Sequence, residues 1–466
     1  MKKTAIIFTI LAFGSLFSQK RPVKLPKPPK PAKVDETIFF RKISDEILLN
    51  GTAYEDLREL TKDIGQRFSG SENYEKAVVW AQKKFQKAGA DKVWLQEVKV
   101  PIWERGLETL SVKTSTGKWQ ELRLLSLGNT NGTGGKDLIG EILYVKSIED
   151  FKQIPSEDVK DKIVFFNYPF DQRMISPVDA YGEAGKYRYS TATLAGKRGA
   201  KAVIIRSLTS AFDDVPHTGS TTYDPDDKFK IPAVAIGAKS ADELAKILVK
   251  QKMTAKLNSN CGMNGEMTTN SVIAELTGNT DKSVIVVAAH LDSWDLGEGA
   301  HDDGAGVVQL FEVLKTYKKL EVANRHTIRF ICFANEENGV MGGKTYADYV
   351  KKKHERHIFA IESDAGGFSP RGISLDMMPQ KRRQIFDWKK YFLPYGVYNF
   401  DETYSGVDIA PLKTLDVPLA EIVPDMQRYF DIHHTAEDTF EKVNRRELLL
   451  GAVTMAQIVY LIDKYW

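Results

Sequence analysis

The second half of the chain alternates between short apolar runs and amphipathic segments, and this pattern limits the fold more than any other feature. Apolar runs that predict strands occur at 283–289, 327–334, 358–365 and 418–424, with helical spacing at 304–317, 342–352 and 446–465. Strands that alternate with helices form sheets that are largely parallel. We therefore expect an α/β fold, a mixed, mostly parallel sheet with helices on both faces.

Residues 132–258 have a different pattern. The short apolar strands GEILYV, DKIVFF, AKAVIIRS and IPAVAIG are separated by turns and by one helix around 189–197. This pattern predicts a β-rich domain with few helices, inserted between residues 34–131 and 259–466 of the main domain.

The first 33 residues are excluded from the predicted fold. Residues 1–18, MKKTAIIFTILAFGSLFS, join two lysines to an apolar run that is shorter than the roughly 20 residues of a membrane span. This is typical of a secretory signal peptide. Residues 19–33, QKRPVKLPKPPKPAK, predict an extended Pro/Lys-rich tether. We therefore expect export to the periplasm, cell surface or medium, without stable membrane insertion.

The charge and cysteine content exclude further classes. Eight of the 65 basic residues lie in residues 1–33, which leaves 57 against 62 acidic residues. This mildly acidic body lacks the basic surface that nucleic-acid binding requires. Of the two cysteines, Cys332 lies in an apolar run and is expected to be buried. A bridge to Cys261 stays open, since export permits disulfides.

Imidazoles and carboxylates follow all four predicted strands of the second half. They are His290 and Asp292 after the first strand, Glu336 and Glu337 after the second, Asp364 at the end of the third, and His433 and His434 after the fourth. A further acidic pair, Asp302 and Asp303, precedes a predicted helix. Because ligands of α/β sheets bind at the carboxyl ends of strands, we expect these side chains to converge.

Imidazole and carboxylate without thiolate suit zinc better than calcium or a structural cysteine site. One histidine and one carboxylate for each ion, with a carboxylate shared between them, require two histidines and three acids. The strand ends supply that set, so the sequence predicts two metal ions per chain.

The segments HLDSWD, GAHDDGAG, NEENGVMGG, ESDAGG and HHTAEDT resemble the signatures of the co-catalytic zinc exopeptidases. This family includes bacterial leucyl aminopeptidases and glutamate carboxypeptidase II, and the resemblance covers nearly all of 34–466. It implies a zinc-exopeptidase (phosphorylase/hydrolase-like) fold, with 34–131 and 259–466 as the peptidase domain. The insert, with KIPAVAIGAKSADELAKIL, is similar to a protease-associated domain.

The resemblance also implies a role for each matched residue. His290 and Asp364 would hold one Zn²⁺, Glu337 and His434 the other, Asp302 would bridge both, and Glu336 would be the general base. Asp292 would orient His290 from outside the ligand set. Asp303 would follow a cis peptide bond and cap the next helix.

Substrate contacts are less defined. Tyr404 and Asp408 occupy the place where relatives line the substrate pocket, although Ile409 stands where many relatives have histidine. His217, in the insert, is either a loop residue or a substrate contact. Asp295 and Glu298 match no family role and are expected to be loop residues.

The sequence thus predicts an exported dinuclear zinc exopeptidase of the carboxypeptidase type, acting on dipeptides or short peptides with free termini. An aminopeptidase of the same family is the alternative, since the same metal site serves both polarities. A non-catalytic, receptor-like ectodomain is a remote alternative, because Glu336 and all five metal ligands are present. The resemblance leaves a homodimer open.

Overall fold

The structure is a computed structural model that describes residues 35–466. The predicted signal peptide and tether lie outside these residues.

Fifteen strands are present in the described part of the chain. In chain order they are β1 (Lys92–Glu104), β2 (Glu108–Lys113), β3 (Trp119–Leu122), β4 (Leu124–Ser126), β5 (Leu138–Val145), β6 (Ile163–Phe166), β7 (Ala202–Arg206), β8 (Ala233–Ile236), β9 (Thr254–Ser259), β10 (Gly262–Leu276), β11 (Val284–His290), β12 (Thr327–Phe333), β13 (His357–Glu362), β14 (Pro370–Asp376) and β15 (Leu419–Pro424).

Eleven α-helices accompany these strands within residues 35–466. They are α1 (Glu36–Asn50), α2 (Ala53–Arg58), α3 (Glu72–Ala88), α4 (Ile148–Gln153), α5 (Ser156–Val159), α6 (Pro177–Gly196), α7 (Ala238–Leu248), α8 (Ala305–Lys319), α9 (Met341–Lys353), α10 (Pro379–Phe392) and α11 (Arg445–Tyr465).

The first sheet has the strand order β1-β10-β12-β11-β13-β15-β14. Its centre, from β12 to β15, is parallel, and β1, β10 and β14 pair antiparallel at the sides. Strand β11 is buried along its whole length, as expected for a parallel strand covered on both faces. Alternate β11 residues pack towards α8 and α11 or towards α9. The α/β prediction is confirmed.

The second sheet, β3-β2-β9-β5-β6-β7-β8-β4, lies between β1 and β10 in the chain. It begins at Glu108, upstream of residue 132 where the sequence pattern places the start of the insert. Strands β2 to β4 precede that point, and the exposed side chains of β3 give them only a weak apolar signal. The central strands β6, β7 and β8 are parallel and apolar, and they match the predicted runs.

Helix α6 is longer than the predicted helix around 189–197. Ser176 caps its start by accepting a hydrogen bond from the Asp179 amide, and Pro177 occupies the first turn. Gly182 and Gly185 lie in its first half, and glycine lowers helix propensity by about 1 kcal/mol. Because of these glycines, the sequence gives no clear helical signal for the first half of α6. In the structure, packing on β7 stabilises this half.

Helix α11 is long and apolar enough to cross a membrane, alone among the helices of residues 35–466, but 78% of its apolar window is buried in the protein. It packs on α8, where the Tyr317 hydroxyl donates to the Ala456 carbonyl at 2.7 Å. Its hydropathy is therefore that of a core helix. Cys261 and Cys332 are both buried and free, so they form no bridge.

The strand order brings the predicted site residues to one edge. Strands β12, β11, β13 and β15 are neighbours in that order and point the same way. His290 ends β11 opposite Phe333 at the end of β12. The carboxyl ends of all four strands therefore deliver their following loops to the same side of the sheet.

A buried ion-pair network joins the antiparallel flank to the parallel centre. Arg329 of β12 donates to Glu275 of β10 at 2.7 and 2.9 Å, to the Tyr346 hydroxyl at 2.9 Å and to Glu355 at 2.6 Å. We expect Arg329→Met to lower the free energy of unfolding by about 3–5 kcal/mol, because the buried carboxylate of Glu275 would keep only the exposed Lys92 as a charged partner. Urea unfolding followed by circular dichroism measures this change.

The matched control is Lys413→Met. Lys413 pairs with Asp376, but its side chain is 65% exposed, so its loss should change stability by less than about 1 kcal/mol. Equal unfolding midpoints for the two variants would contradict the proposed contribution of the Arg329 network to stability.

Candidate metal centre and active site

His290, Asp302 and Asp364 form one group at the edge of the first sheet, in which His290 and Asp302 are buried and Asp364 is half-buried. His290 Nε2 lies 3.2 Å from Asp302 Oδ1 and 3.1 Å from Asp364 Oδ1. The imidazole comes from the end of β11, and Asp364 follows β13. One nitrogen and two carboxylate oxygens within 4.8 Å of one another could hold a metal ion.

Asp302 belongs to a second group as well. His434 Nε2 lies 3.3 Å from Asp302 Oδ2 and 3.2 Å from Glu337 Oε2. Glu337 follows β12, and His434 follows β15 with a positive φ of 61°. Each oxygen of the Asp302 carboxylate therefore faces a different imidazole, an arrangement suited to a bridging ligand.

The two groups fit a pair of divalent cations. Asp302 Oδ2 and Glu337 Oε1 are buried and have no hydrogen-bond partner among the described residues. Burial, together with the charge of Asp302, raises the pKa of Glu337 well above its usual range. Burial also raises the pKa of Asp364. The negative charge of these carboxylates exceeds the positive charge of the protein groups around them. Bound cations would neutralise the excess.

Asp292 supports both sides of the site. Its backbone carbonyl accepts from His290 Nδ1 at 3.0 Å, and its carboxylate accepts from the amides of Glu336 and Glu337 at 3.0 and 3.3 Å. Ser69 donates to the same carboxylate at 3.2 Å. The carbonyl orients His290, as the outer partners of metal-binding histidines do, while the carboxylate holds the loop after β12.

Asp303 joins the start of α8 to the end of β11. Its Oδ1 accepts from the Gly306 amide at 3.0 Å and its Oδ2 from the His290 amide at 3.1 Å. The peptide bond between Asp302 and Asp303 is cis, as the resemblance implies. Asp303 thus caps the first turn of α8 and also fixes the backbone of His290.

Glu336 lines a cavity of about 400 Å³ together with Asp302, Glu337 and Asp364. Burial, reinforced by the charge of Asp364, raises the pKa of Glu336 to about 8. Its side chain belongs to neither imidazole–carboxylate group. Glu336 is therefore placed to exchange protons inside the cavity.

The loop before β8 contacts the backbone of both metal-facing loops. The Thr218 amide donates to the His434 carbonyl at 3.0 Å, and the Thr218 carbonyl lies 3.4 Å from His434 Nδ1. Ser220 Oγ donates to the Glu337 carbonyl at 2.7 Å. The unit built on the second sheet therefore positions two of the five predicted ligands.

The three candidate substrate residues occupy different places. Tyr404 lines the cavity, whereas His217 and Asp408 are not among the residues that line it. His217 Nδ1 lies 2.8 Å from the His433 carbonyl, and burial lowers the pKa of His217 to about 4. Asp408 is fully buried, and its two carboxylate oxygens have no partner among residues 35–466.

The acidic residues between Asp292 and Asp302 are ion-paired. Asp295 binds Arg105 through two contacts of 2.7 and 2.8 Å. Glu298 accepts from Lys62 at 2.6 Å and from the Phe440 amide at 2.9 Å. These side chains hold the loop in place, so their role is structural, as the sequence led us to expect, although they are not simply solvated.

Two neighbouring histidines lie beside the predicted ligands. His301 Nδ1 accepts from the Gly367 amide at 3.1 Å, which accounts for its burial. His433 stacks on His434 with ring centroids 3.5 Å apart, and its Nε2 is 3.6 Å from Asp302 Oδ2. Burial lowers the pKa of His433 to about 3. It lies farther from Asp302 than His434 does.

Sequence reasoning did not single out two residues that hold the site's backbone. Arg67 is fully buried and donates to three carbonyls of the 291–299 loop. Asp438 accepts from the amides of Asp302 and the residue before it, at 3.1 and 2.8 Å. Asp438 falls inside the HHTAEDT segment, which could have indicated it, but Arg67 carries no comparable signal.

Known proteins are similar to this chain in both sequence and fold. The model of peptidase family M28 matches residues 271–459. Carboxypeptidase Q of Xenopus laevis is 32% identical over 412 residues, covering 88% of this chain and 85% of that protein. Carboxypeptidase Q of Homo sapiens is 31% identical over 418 residues, with the same shares covered.

Solved structures of M28 peptidases have the same fold as this chain. A peptidase M28 precursor from Shewanella amazonensis is 31% identical, with a TM-score of 0.87 over 92% of this chain and 96% of that one. A zinc aminopeptidase from Bacillus subtilis has the same fold at 22% identity, with a TM-score of 0.65 over 89% of this chain and 95% of that one. The chain belongs to peptidase family M28 and is a metallopeptidase.

Proposed function

We propose that this chain is an exported dinuclear zinc exopeptidase that hydrolyses dipeptides or short peptides with free termini, in the manner of carboxypeptidase Q. The observation that carries the proposal is the sharing of Asp302 between His290 and His434, at 3.2 and 3.3 Å. Likeness to carboxypeptidase Q along 88% of the chain supports the same assignment. The pattern of residues 1–18 supports export, and the second sheet is proposed to be a protease-associated-like insert.

Five side chains would hold the two ions: His290 and Asp364 one, His434 and Glu337 the other, and Asp302 both. When bound, zinc supplies Lewis-acid chemistry, since it polarises a carbonyl group and lowers the pKa of water. The carbonyl of Asp292 and that of Thr218 keep the outer nitrogens of the two imidazoles engaged. The ligand nitrogens therefore face into the site.

Glu336 carries the proton transfers. Its carboxylate takes a proton from the water that attacks the scissile carbonyl and returns it to the leaving amine nitrogen. The backbone amide of Glu336 donates a hydrogen bond to the Asp292 carboxylate at 3.0 Å, and this contact fixes the backbone of Glu336.

We expect Glu336→Gln to retain both metal ions and to lose about 10²–10⁴-fold in kcat, because the amide cannot accept the proton of water. Metal content by mass spectrometry and release of amino acids from dipeptides measure the two effects. Glu437→Gln is the matched control, since Glu437 is exposed on a neighbouring loop and should behave as wild type. Hydrolysis that persists in Glu336→Gln would refute the assigned base.

Metal removal provides a second test. Dialysis against a strong chelator should abolish hydrolysis and lower the melting temperature, because the ions bind the folded state only; zinc should restore both. Replacing the shared carboxylate in Asp302→Ala should lower metal content from about two ions towards none. Asp364→Ala should lower it towards one. Full activity without any metal would contradict the proposal.

The terminus that the enzyme recognises is tested with wild-type protein and blocked peptides. Dipeptides and longer peptides are supplied free, acetylated at the amino end or amidated at the carboxyl end. We expect loss of hydrolysis on amidation. Loss on acetylation alone would instead identify an aminopeptidase, and loss with either block a strict dipeptidase.

A further inference from the structure

The cavity beside Glu336 is lined by five acidic side chains among residues 35–466, and the proposed reaction uses four of them: Asp302, Glu336, Glu337 and Asp364. The fifth, Glu421, comes from β15 and is 7% exposed. Its carboxylate has no hydrogen bond or ion pair with any residue that the structure describes, including Arg188 of the same cavity. Glu421 is therefore a buried acid that lines the cavity without a partner.

Burial of a carboxylate without a partner is unfavourable. Here burial, reinforced by the charges of Asp364 and Glu336, raises the pKa of Glu421 well above its usual range. A cationic group next to this carboxylate would stabilise its ionised form. Neither imidazole–carboxylate group of the metal centre includes Glu421, so a cationic group of the substrate is the partner that fits it.

A second cavity, of about 700 Å³, adjoins the first. The side chains that line both cavities are Val178, Tyr404 and Met426. Strand β15 also reaches both, since Glu421 lines the first cavity and Val423 lines the second. Residues two apart in a strand point to the same face and lie about 7 Å from each other. The second cavity therefore begins within the length of one long side chain from Glu421.

The second cavity carries an excess of negative charge. Its arginine, Arg371, is paired with an aspartate at 3.5 Å. Two further acids of its lining, Asp179 and Glu402, form no ion pair within the described part of the chain. Burial and the charge of Glu421, together with the charges of these two acids, raise the pKa of Tyr404. All three acids thus lie near the tyrosine that both cavities share, and this region suits a positive charge.

We propose that Glu421 pairs with a lysine or arginine side chain of the peptide, and so makes the enzyme selective for substrates with a basic residue beside the scissile bond. This inference rests on the proposed function and names its substrate class. Long basic side chains lay their aliphatic stems on apolar surface while the charged end finds a polar partner, and Val178 and Met426 supply that surface. An aromatic ring beside a cation adds to the attraction, and Tyr404 lines the same wall.

The test uses metal-loaded protein and four dipeptides assayed singly: lysyl-alanine, alanyl-lysine and the two corresponding norleucine dipeptides. Norleucine has the unbranched carbon chain of lysine but no ammonium group. For one of the two orders, wild type should hydrolyse the lysine dipeptide with a kcat/KM about 10–100-fold above that of its norleucine counterpart. Glu421→Gln keeps the shape of the side chain and removes its charge. It should lose this preference, hydrolyse the norleucine dipeptides at the wild-type rate and retain both metal ions.

Two further variants separate recognition from structure. Glu421→Asp keeps the charge on a shorter side chain, so it should recover part of the preference for lysine. Glu437→Gln removes an exposed carboxylate and should retain the full preference. Absence of the preference in wild type would overturn the inference, as would loss of a metal ion from Glu421→Gln. Equal losses on lysine and norleucine dipeptides in Glu421→Gln would also overturn it, by showing that Glu421 binds a group common to both, such as the α-ammonium group.

Failure of the proposed function would give a different result. If wild type hydrolysed none of the four dipeptides, their binding to metal-loaded protein would still be measured by native mass spectrometry. Tighter binding of a lysine dipeptide than of its norleucine counterpart, in wild type but not in Glu421→Gln, would support the inference even then. Equal binding of the two dipeptides to wild type would overturn it.

Discussion

One buried carboxylate lies between two imidazoles, and the surrounding structure is arranged to keep it there. Asp302 reaches towards His290 with one oxygen and towards His434 with the other, at 3.2 and 3.3 Å. Three carboxylates so close together repel one another and resist burial. We propose that cations bound in their midst offset that cost, so that residues which would be unfavourable in a metal-free core serve as the metal centre of the peptidase.

Support for this centre comes from both sheets. The parallel strands β11, β12 and β13 deliver His290, Glu337 and Asp364 to one edge, because parallel strands end on the same side. The second sheet contributes the loop that contacts the backbone of Glu337 and His434, together with Arg188. The predicted metal ligands thus lie at the edge of the first sheet, and the unit of the second sheet supports two of them.

Much of the site could be predicted from the sequence because its residues lie in short sequence segments that can be recognised. Each predicted ligand directly follows a strand or lies in a short motif, so spacing and family resemblance together indicated the set. Helix α6 was only partly predicted, because its glycines weaken the local helical signal and packing determines its length. The start of the second sheet was also not visible, since β3 is exposed and carries little apolar pattern.

The sequence by itself determined the α/β alternation, the clustering of acids and imidazoles after strands, and the family to which they belong. These are properties of neighbouring residues, and periodicity or motif spacing reports them directly. Only the tertiary structure decided that Asp292 uses its carbonyl for His290 and its carboxylate for the Glu336 loop, that His217 contacts the His433 carbonyl and does not line the cavity, and that Arg188 does line it. Apart from the contact between Asp292 and His290, these arrangements bring together residues far apart in the chain, so they depend on how the two sheets pack and on which polar groups that packing leaves without partners.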